Sequence, residues 1–339
     1  MSTVAQATGA PRLGFAGVGW IGRNRLQAIA GARQAEIIAI YDTDAAAATD
    51  AAAVVQAHAP AVRQVSGFPE LLTANLDGIV IATPSAQHAG QAMAALASGH
   101  AVFCQKPLAS TAAEACSVIA AARQANRLLA VDLSYRLVEG LPALTQLVQS
   151  GALGDIYAVE LIFHNAYGPN RPWFYDLRQS GGGCVMDLGI HLIDLALLVL
   201  GYPNIDQVRS QLRAHGRLLR QPVSEIEDHA FAEIQCRDGP TIRLACSWHL
   251  SAGCDAVIES SFFGTRGAAR LRNIDGSFYK LVVEHFQGTT RRALAGVDDG
   301  WGGRAANSWV RRLRDSRQFD EEASRLCRVA EIIDQIYGR

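Results

Sequence analysis

Lysine is nearly absent from this chain. Only Lys106 and Lys280 occur among 31 basic residues, and all the others are arginine. Wherever a general surface cation suffices the chain uses arginine, so the lysine in Cys104-Gln105-Lys106-Pro107 points to a need for a compact ammonium. Lys280 reads as an ordinary solvated side chain. Missing too is an excess of charge of either sign. The 31 basic and 32 acidic residues leave a net charge of -1, which carries no footprint of a nucleic-acid or anionic-membrane partner. The seven cysteines show no C-x-x-C or other metal-type spacing. Their odd number and scatter argue against a disulfide framework and set the expectation of a reducing cytoplasm with no metal site. The opening segment, residues 1–11, lacks a basic stretch followed by an apolar one, so it reads as a short disordered leader without a secretion signal. There are no internal repeats and no low-complexity linkers. With 339 residues, 49% of them hydrophobic, the chain can build two domains with substantial cores.

Arg12 to Val18 is a short apolar run entering Gly17-Val18-Gly19-Trp20-Ile21-Gly22, followed by a helical pattern to about Ala30. Strand, G-x-G-x-x-G and helix in that order form a dinucleotide-binding signature. Its first glycine makes the tight turn, the second admits a diphosphate, and the third lets helix and strand approach. A second strand, Glu36 to Tyr41, ends at Asp42, placed to accept from the adenine-ribose hydroxyls and to repel a 2′-phosphate. The expected cofactor is therefore NAD rather than NADP. Further strands are expected at 62–65, 77–82, 100–104 and 128–133, with helices at 45–58, 68–73, 86–98 and 111–126. This alternation implies a doubly wound parallel sheet, whose ligands sit beyond the strands' carboxyl ends. Gly17, Gly19, Trp20, Ile21, Gly22, Asp42, Thr83, Pro84, His88, Gln105 and Lys106 all fall at or near such ends and are the candidate cofactor residues.

Beyond Tyr135 the pattern changes. A helix at 141–149 and a strand at 156–164 lead through an aromatic loop to a long apolar stretch. Strand-like runs follow at 205–214, 229–237, 241–250, 256–263, 267–272 and 277–286 without intervening helices. Such a succession implies a large, mostly antiparallel sheet. Asp299 to Arg304 is a glycine-rich loop holding Trp301, and helices are expected at 305–316 and 320–337. The domain boundaries read as 1–134, a Rossmann domain, and 135–339, with the terminal helix able to pack back on the first domain.

The long stretch runs from Ser180 to Gly201. Three glycines, read as a flexible entry, precede an apolar helix interrupted by Asp187, His191 and Asp194. Their i, i+4, i+7 spacing puts all three on one helical face. Burying such groups unpaired costs roughly 2–7 kcal/mol each, so an acid–imidazole stripe in this setting points to proton transfer. The run reads as too short and too interrupted to cross a membrane.

Taken together, these motifs resemble the glucose–fructose oxidoreductase/inositol dehydrogenase/MocA family (Gfo/Idh/MocA). The residues that carry the likeness are the glycine loop, Thr83-Pro84 with His88, Gln105-Lys106-Pro107, Leu153-Gly154-Asp155-Ile156, and Gly181-Gly182-Gly183 followed by Asp187-x-x-x-His191-x-x-Asp194. The resemblance implies a nicotinamide-dependent oxidoreductase acting on a sugar, inositol or related polyol. It implies that Lys106 contacts the reacting oxygen and that Asp187 and His191 orient the substrate and exchange its proton. The catalytic set is thus Lys106, Asp187 and His191, with Asp194 as a supporting group. The family usually carries Glu before the lysine. Gln105 removes that charge and is expected to alter contacts to the cofactor ribose. A glycosidase working by transient oxidation, or a non-catalytic NAD-binding regulator, would use parts of the same set. A homodimer or homotetramer built through the free face of the second sheet is the expected assembly.

Overall fold

The computed structural model describes residues 9–298, 300 and 302–339. Most of the expected leader, and the parts of the glycine-rich loop at 299 and 301, lie outside the described residues. The chain divides into two compact units: Met1–Leu133 with Gly302–Cys327, and Ser134–Trp301 with Arg328–Arg339.

The first unit alternates strand and helix: β1 (Arg12–Ala16), α1 (Trp20–Ala32), β2 (Glu36–Tyr41), α2 (Ala45–Val55), β3 (Arg63–Gln64), α3 (Phe68–Thr73), β4 (Gly78–Ile81), α4 (Ser85–Ala97), β5 (Ala101–Cys104), α5 (Ala112–Ala125) and β6 (Leu129–Val131). Among the described residues the strands form one parallel sheet in the order β3-β2-β1-β4-β5-β6. Every residue of β4 and β5 is buried, which is why these strands read as unbroken apolar runs rather than alternating ones. The strand order reverses between β1 and β4, so the crevice at their carboxyl ends is where this architecture binds ligands.

The second unit contains α6 (Leu141–Gln149), β7 (Ile156–Asn165), α7 (Leu177–Ser180), a π-turn at Val185–Gly189, α8 (Ile190–Leu200), β8 (Ile205–Ala214), β9 (Arg217–Leu218), β10 (His229–Cys236), β11 (Thr241–Ser247), β12 (Ala256–Gly264), β13 (Gly267–Asn273), β14 (Leu281–Gln287) and β15 (Thr290–Ala293). Its strands form a sheet in the order β15-β14-β13-β12-β7-β11-β10-β8-β9. All neighbours are antiparallel except β7 and β11. One sheet face, including Val159, Leu161, Phe163 and Leu244, shares a core with Leu192, Leu195, Ala196 and Val199 of α8. The strand expected from 277 starts at 281. Asp275 and Gly276 have positive φ, and Ser277 Oγ accepts from the amides of Tyr279 and Lys280, so these residues form a turn.

Two more helices complete the chain, α9 (Arg304–Asp315) and α10 (Leu326–Tyr337). The segment that returns to the first unit is Gly302–Cys327. There Trp309 of α9 stands against Gly78, where a Cβ would lie 2.7 Å from the indole. Two sequence expectations change. Cys116 of α5 and Cys327 form a disulfide with Cα atoms 5.3 Å apart, while the other five cysteines are free. The pair is 211 residues apart in sequence, a juxtaposition no local spacing rule detects. Secondly, the helical stretch Leu177–Leu200 spans 24 residues, and its most apolar 18-residue window has a mean hydropathy of 2.0, long and apolar enough to cross a bilayer. Its length therefore does not exclude a span. It is instead a core helix, with 78% of its most apolar window buried within the protein.

Candidate active site

In the first unit, Gly17 follows β1 with φ of 83°. A Cβ there would stand 2.5 Å from the carbonyl carbon of Ala82, and one on Gly22 would overlap the carbonyl oxygen of Gly17. These two glycines let β1, α1 and the end of β4 approach one another. Gly19 differs, because nothing lies within 4 Å of the Cβ it lacks. It caps α1 with no side-chain hydrogen bond, and no acid stands in the helix's first turn. Unpaired amides at the positive end of a helix, open at a glycine, fit a diphosphate. Trp20 is exposed and Ile21 half-buried beside this opening. The residues present therefore fit a dinucleotide.

Asp42 is tied to this loop more tightly than the sequence indicates. Its Oδ2 accepts from the Val18 amide at 2.7 Å and its Oδ1 from the Asp44 amide at 2.9 Å. Each carboxylate oxygen keeps a further lone pair for a ribose hydroxyl. His88, buried in the first turn of α4, lies 2.6 Å by Nδ1 from the Pro107 carbonyl and 2.7 Å by Nε2 from the Thr83 carbonyl. Burial pushes its pKa down, while both carbonyls favour the charged ring. Both ring nitrogens are thus used as ties between Thr83-Pro84 and Lys106-Pro107, which gives His88 a positioning role and leaves neither nitrogen for a cofactor. Gln105 is buried and Lys106 half-buried. The Gln105 amide donates to the buried carboxylate of Asp132 at 2.6 Å.

In the second unit, the helix that starts after the three glycines is almost wholly buried. From 181 to 197 only Asp187 and His191 are half-buried; every other residue there is buried. Asp187 sits in the π-turn, a local widening often found at functional sites. Trp248 Nε1 donates to its Oδ2 at 3.1 Å. His191 faces Tyr135, with ring centroids 5.1 Å apart. Burial, then the Asp187 charge, raises the phenol pKa of Tyr135 and of Tyr175. Tyr175 packs on Trp248 and its hydroxyl lies 3.4 Å from Nε2 of His249. Asp187 and His191 are therefore set among aromatic rings.

Asp194 does not extend this pair. Arg136 grips it bidentately, Nε to Oδ2 at 2.7 Å and Nη2 to Oδ1 at 2.6 Å. The three glycines are not a flexible entry either. A Cβ on Gly182 would overlap the Tyr337 hydroxyl, and one on Gly183 the carbonyl of Glu227. Glu227 itself is fully buried and accepts from the amides of Gly183 and Val185, each at 2.9 Å, and from the Tyr337 hydroxyl at 2.7 Å. It caps the helix that bears Asp187 and His191. Sequence reasoning missed Glu227, Trp248 and Asp132. Glu227 stands in Ser224-Glu225-Ile226-Glu227-Asp228, a run that reads as a solvated acidic loop.

A parallel sheet with an open glycine loop in the first unit, and a half-buried acid–imidazole pair on an apolar helix of the second, are the parts of a dinucleotide-dependent oxidoreductase. Residues 12–133 match the Gfo/Idh/MocA oxidoreductase family's NAD-binding Rossmann fold, and residues 142–270 match that family's C-terminal domain. The chain belongs to the Gfo/Idh/MocA oxidoreductases. It is 30% identical over 292 residues to D-apiose dehydrogenase of Paraburkholderia graminis, covering 84% of this chain and 72% of that one. It is 28% identical over 211 residues to D-glucoside 3-dehydrogenase of Escherichia coli, covering 59% of this chain and 60% of that one. Two solved structures share the fold. A 3-ketoreductase from Actinomadura kijaniata, in complex with NADP and TDP-benzene, has a TM-score of 0.82 at 20% identity, covering 97% of each chain. Levoglucosan dehydrogenase, in complex with NADH and levoglucosan, has a TM-score of 0.78 at 21% identity, covering 96% of each chain.

Proposed function

We propose that this protein is an NAD-dependent dehydrogenase for a secondary hydroxyl of a sugar or polyol. The observation that carries this reading is the pairing of Asp187 and His191 as the half-buried residues in a buried helix, ringed by Tyr135, Tyr175 and Trp248. Carboxylate and imidazole suit a polyhydroxylated substrate, and aromatic faces suit its C–H surfaces. When bound at the glycine loop, NAD would supply the hydride acceptor. His191, as neutral imidazole, takes the hydroxyl proton, and Asp187 holds a neighbouring hydroxyl. Lys106 donates to the reacting oxygen, a contribution worth about 3–4 kcal/mol for a preorganised donor. The names of the relatives, dehydrogenases of D-apiose and D-glucosides, support this substrate class.

NAD is favoured over NADP because β2 is followed by Asp42-Thr43-Asp44. The Asp42 carboxylate at this strand end would repel a 2′-phosphate, while that of Asp44 caps α2. A second copy is the proposed partner for the sheet face turned away from α8. Across that face Arg209, Glu233, Arg243 and Glu160 stand in register on β8, β10, β11 and β7, all exposed. Such an alternating row is complementary to itself under a two-fold rotation. Sedimentation of the parent as a monomer would remove that part of the reading.

The test is a panel of sugars, inositols and glycosides with NAD and with NADP, followed by nicotinamide absorbance, on the parent and on Lys106→Met. Oxidation by the parent and none by Lys106→Met, with NAD affinity retained, is the expected result. Cleavage of an aryl glycoside without added NAD would redirect the reading to a hydrolase.

A further inference from the structure

The corner where β5 and β6 end holds a buried ion pair that the proposed reaction does not use. Arg25 of α1 is 5% exposed, Gln105 6% and Asp132 1%. A single oxygen, Oδ2 of Asp132, accepts from Arg25 Nε at 2.5 Å and from Gln105 Nε2 at 2.6 Å. The backbone holds both acceptor and donor in place. The Asp132 amide donates to the Cys104 carbonyl at 2.9 Å, and the Gln105 amide donates to Ile81 at 2.8 Å.

We propose that Asp132 is a positioning residue for Lys106, and that its buried charge is the reason the residue before that lysine is Gln rather than Glu. Gln105 can donate where a carboxylate cannot. Replacing its Nε2 by an ionised oxygen would bring two carboxylates to about hydrogen-bond distance around one guanidinium, in a site shielded from water. Like charges that close cannot both ionise without strong cost, and one of the two retains a proton. The acid of this corner thus stands at the end of β6, and the residue at the end of β5 is its amide donor. Through it Arg25 ties the segment carrying Lys106 to α1, the helix that starts at the glycine loop. The role assigned to Asp132 rests on the reading of Lys106 as the donor to the reacting oxygen. The Asp132–Gln105 coupling itself does not.

A charge-swap cycle tests both parts: Gln105→Glu, Asp132→Asn, and the double variant. Two readouts need no substrate. One is melting temperature against pH. The other is the isotope-labelled Cε signal of Lys106, resolved because Lys106 and Lys280 are the only lysines and assigned with Lys280→Arg. In Gln105→Glu the introduced carboxyl has a raised pKa when folded. Its stability relative to the parent is therefore expected to fall as pH rises from the ordinary Glu value, about 4.3, up to that raised value, then level. Over the same window the Lys106 signal is expected to move. The double variant, which again has one acid facing one amide, is expected to lose the pH-dependent fall and return the Lys106 signal toward the parent's. Asp132→Asn alone, which removes the carboxylate to which Arg25 Nε donates, is expected to melt lower than the parent at neutral pH. Gln105→Glu tracking the parent at each pH, or a double variant no better than Gln105→Glu, would overturn the coupling. A fall in melting temperature with an unmoved Lys106 signal would overturn the positioning role. A parent that oxidises no sugar would instead sink the functional reading, with this cycle still readable.

Discussion

The indole Nε1 of Trp248 donates to Oδ2 of Asp187 at 3.1 Å. Trp248 directly follows β11, and Asp187 lies in the π-turn before α8. The bond orients the Asp187 carboxylate. Trp248→Phe keeps a ring in place but removes the donor. A hydrogen bond to a charged group contributes about 1.5–3 kcal/mol, so kcat/KM for sugar oxidation is expected to fall about 10- to 100-fold. NAD affinity, measured by titration calorimetry, should stay within about twofold of the parent. A kcat/KM equal to the parent's would show that Asp187 is oriented by other groups.

His191→Asn should slow oxidation by about two to four orders of magnitude, the span of a lost general base. It should also remove the acid limb of the kcat/KM profile. The matched comparison is Asp194→Asn one turn on. Because the half-buried Arg136 grips the buried Asp194 bidentately, the main loss there is stability, less than the roughly 3–5 kcal/mol of a fully buried pair. Urea unfolding and steady-state kinetics on both variants separate the two roles. A His191→Asn enzyme that keeps its rate and its acid limb would make Lys106 the leading candidate for proton acceptor.

Asp42→Ala should narrow the preference between NAD and NADP, through a lower KM for NADP and a higher one for NAD. Since Asp42 also accepts from Val18 and Asp44, a small fall in melting temperature should accompany the change. An unaltered ratio of kcat/KM values for the two cofactors would mean that Asp42 serves the loop alone.

Glu227 supplies a pH dependence of stability. Burial raises its pKa in the fold, against the hydrogen-bond donors that favour its ionised form. As pH rises from about 4.3, the ordinary Glu value, the unfolded chain releases this proton first. Glu227 therefore contributes falling stability from that pH up to its raised folded value, and a constant amount above it. Glu227→Gln should abolish that part of the slope. It should also lower stability throughout, because an amide nitrogen would face a donor. Melting curves across the acid range decide it, and an unchanged slope would show that Glu227 titrates alike in the folded and the unfolded chain.

How much was legible in the sequence depended on whether the signal was local. The apolar runs of β1, β4 and β5, and the glycines at 17, 19 and 22, marked the parallel sheet and its ligand end, because burial on both faces and tight turns leave their trace in adjacent residues. Asp187 and His191 stood out because polar groups in an apolar helix need a reason wherever the helix packs. What remained hidden was pairing at a distance. Asp132 selects Gln105 from 27 positions away, Trp248 orients Asp187 from 61, and Glu227 caps its helix from 44. Gly182 and Gly183 look like a hinge in sequence, yet Tyr337 and Glu227 fill the space their missing Cβ atoms leave. Asp194 shares a helical face with His191 by periodicity, but Arg136 captured it. Sequence determined by itself where polar groups must be explained. Only the tertiary structure decided which partner satisfies each one, because a buried charge takes whatever donor the packed chain brings within about 3 Å.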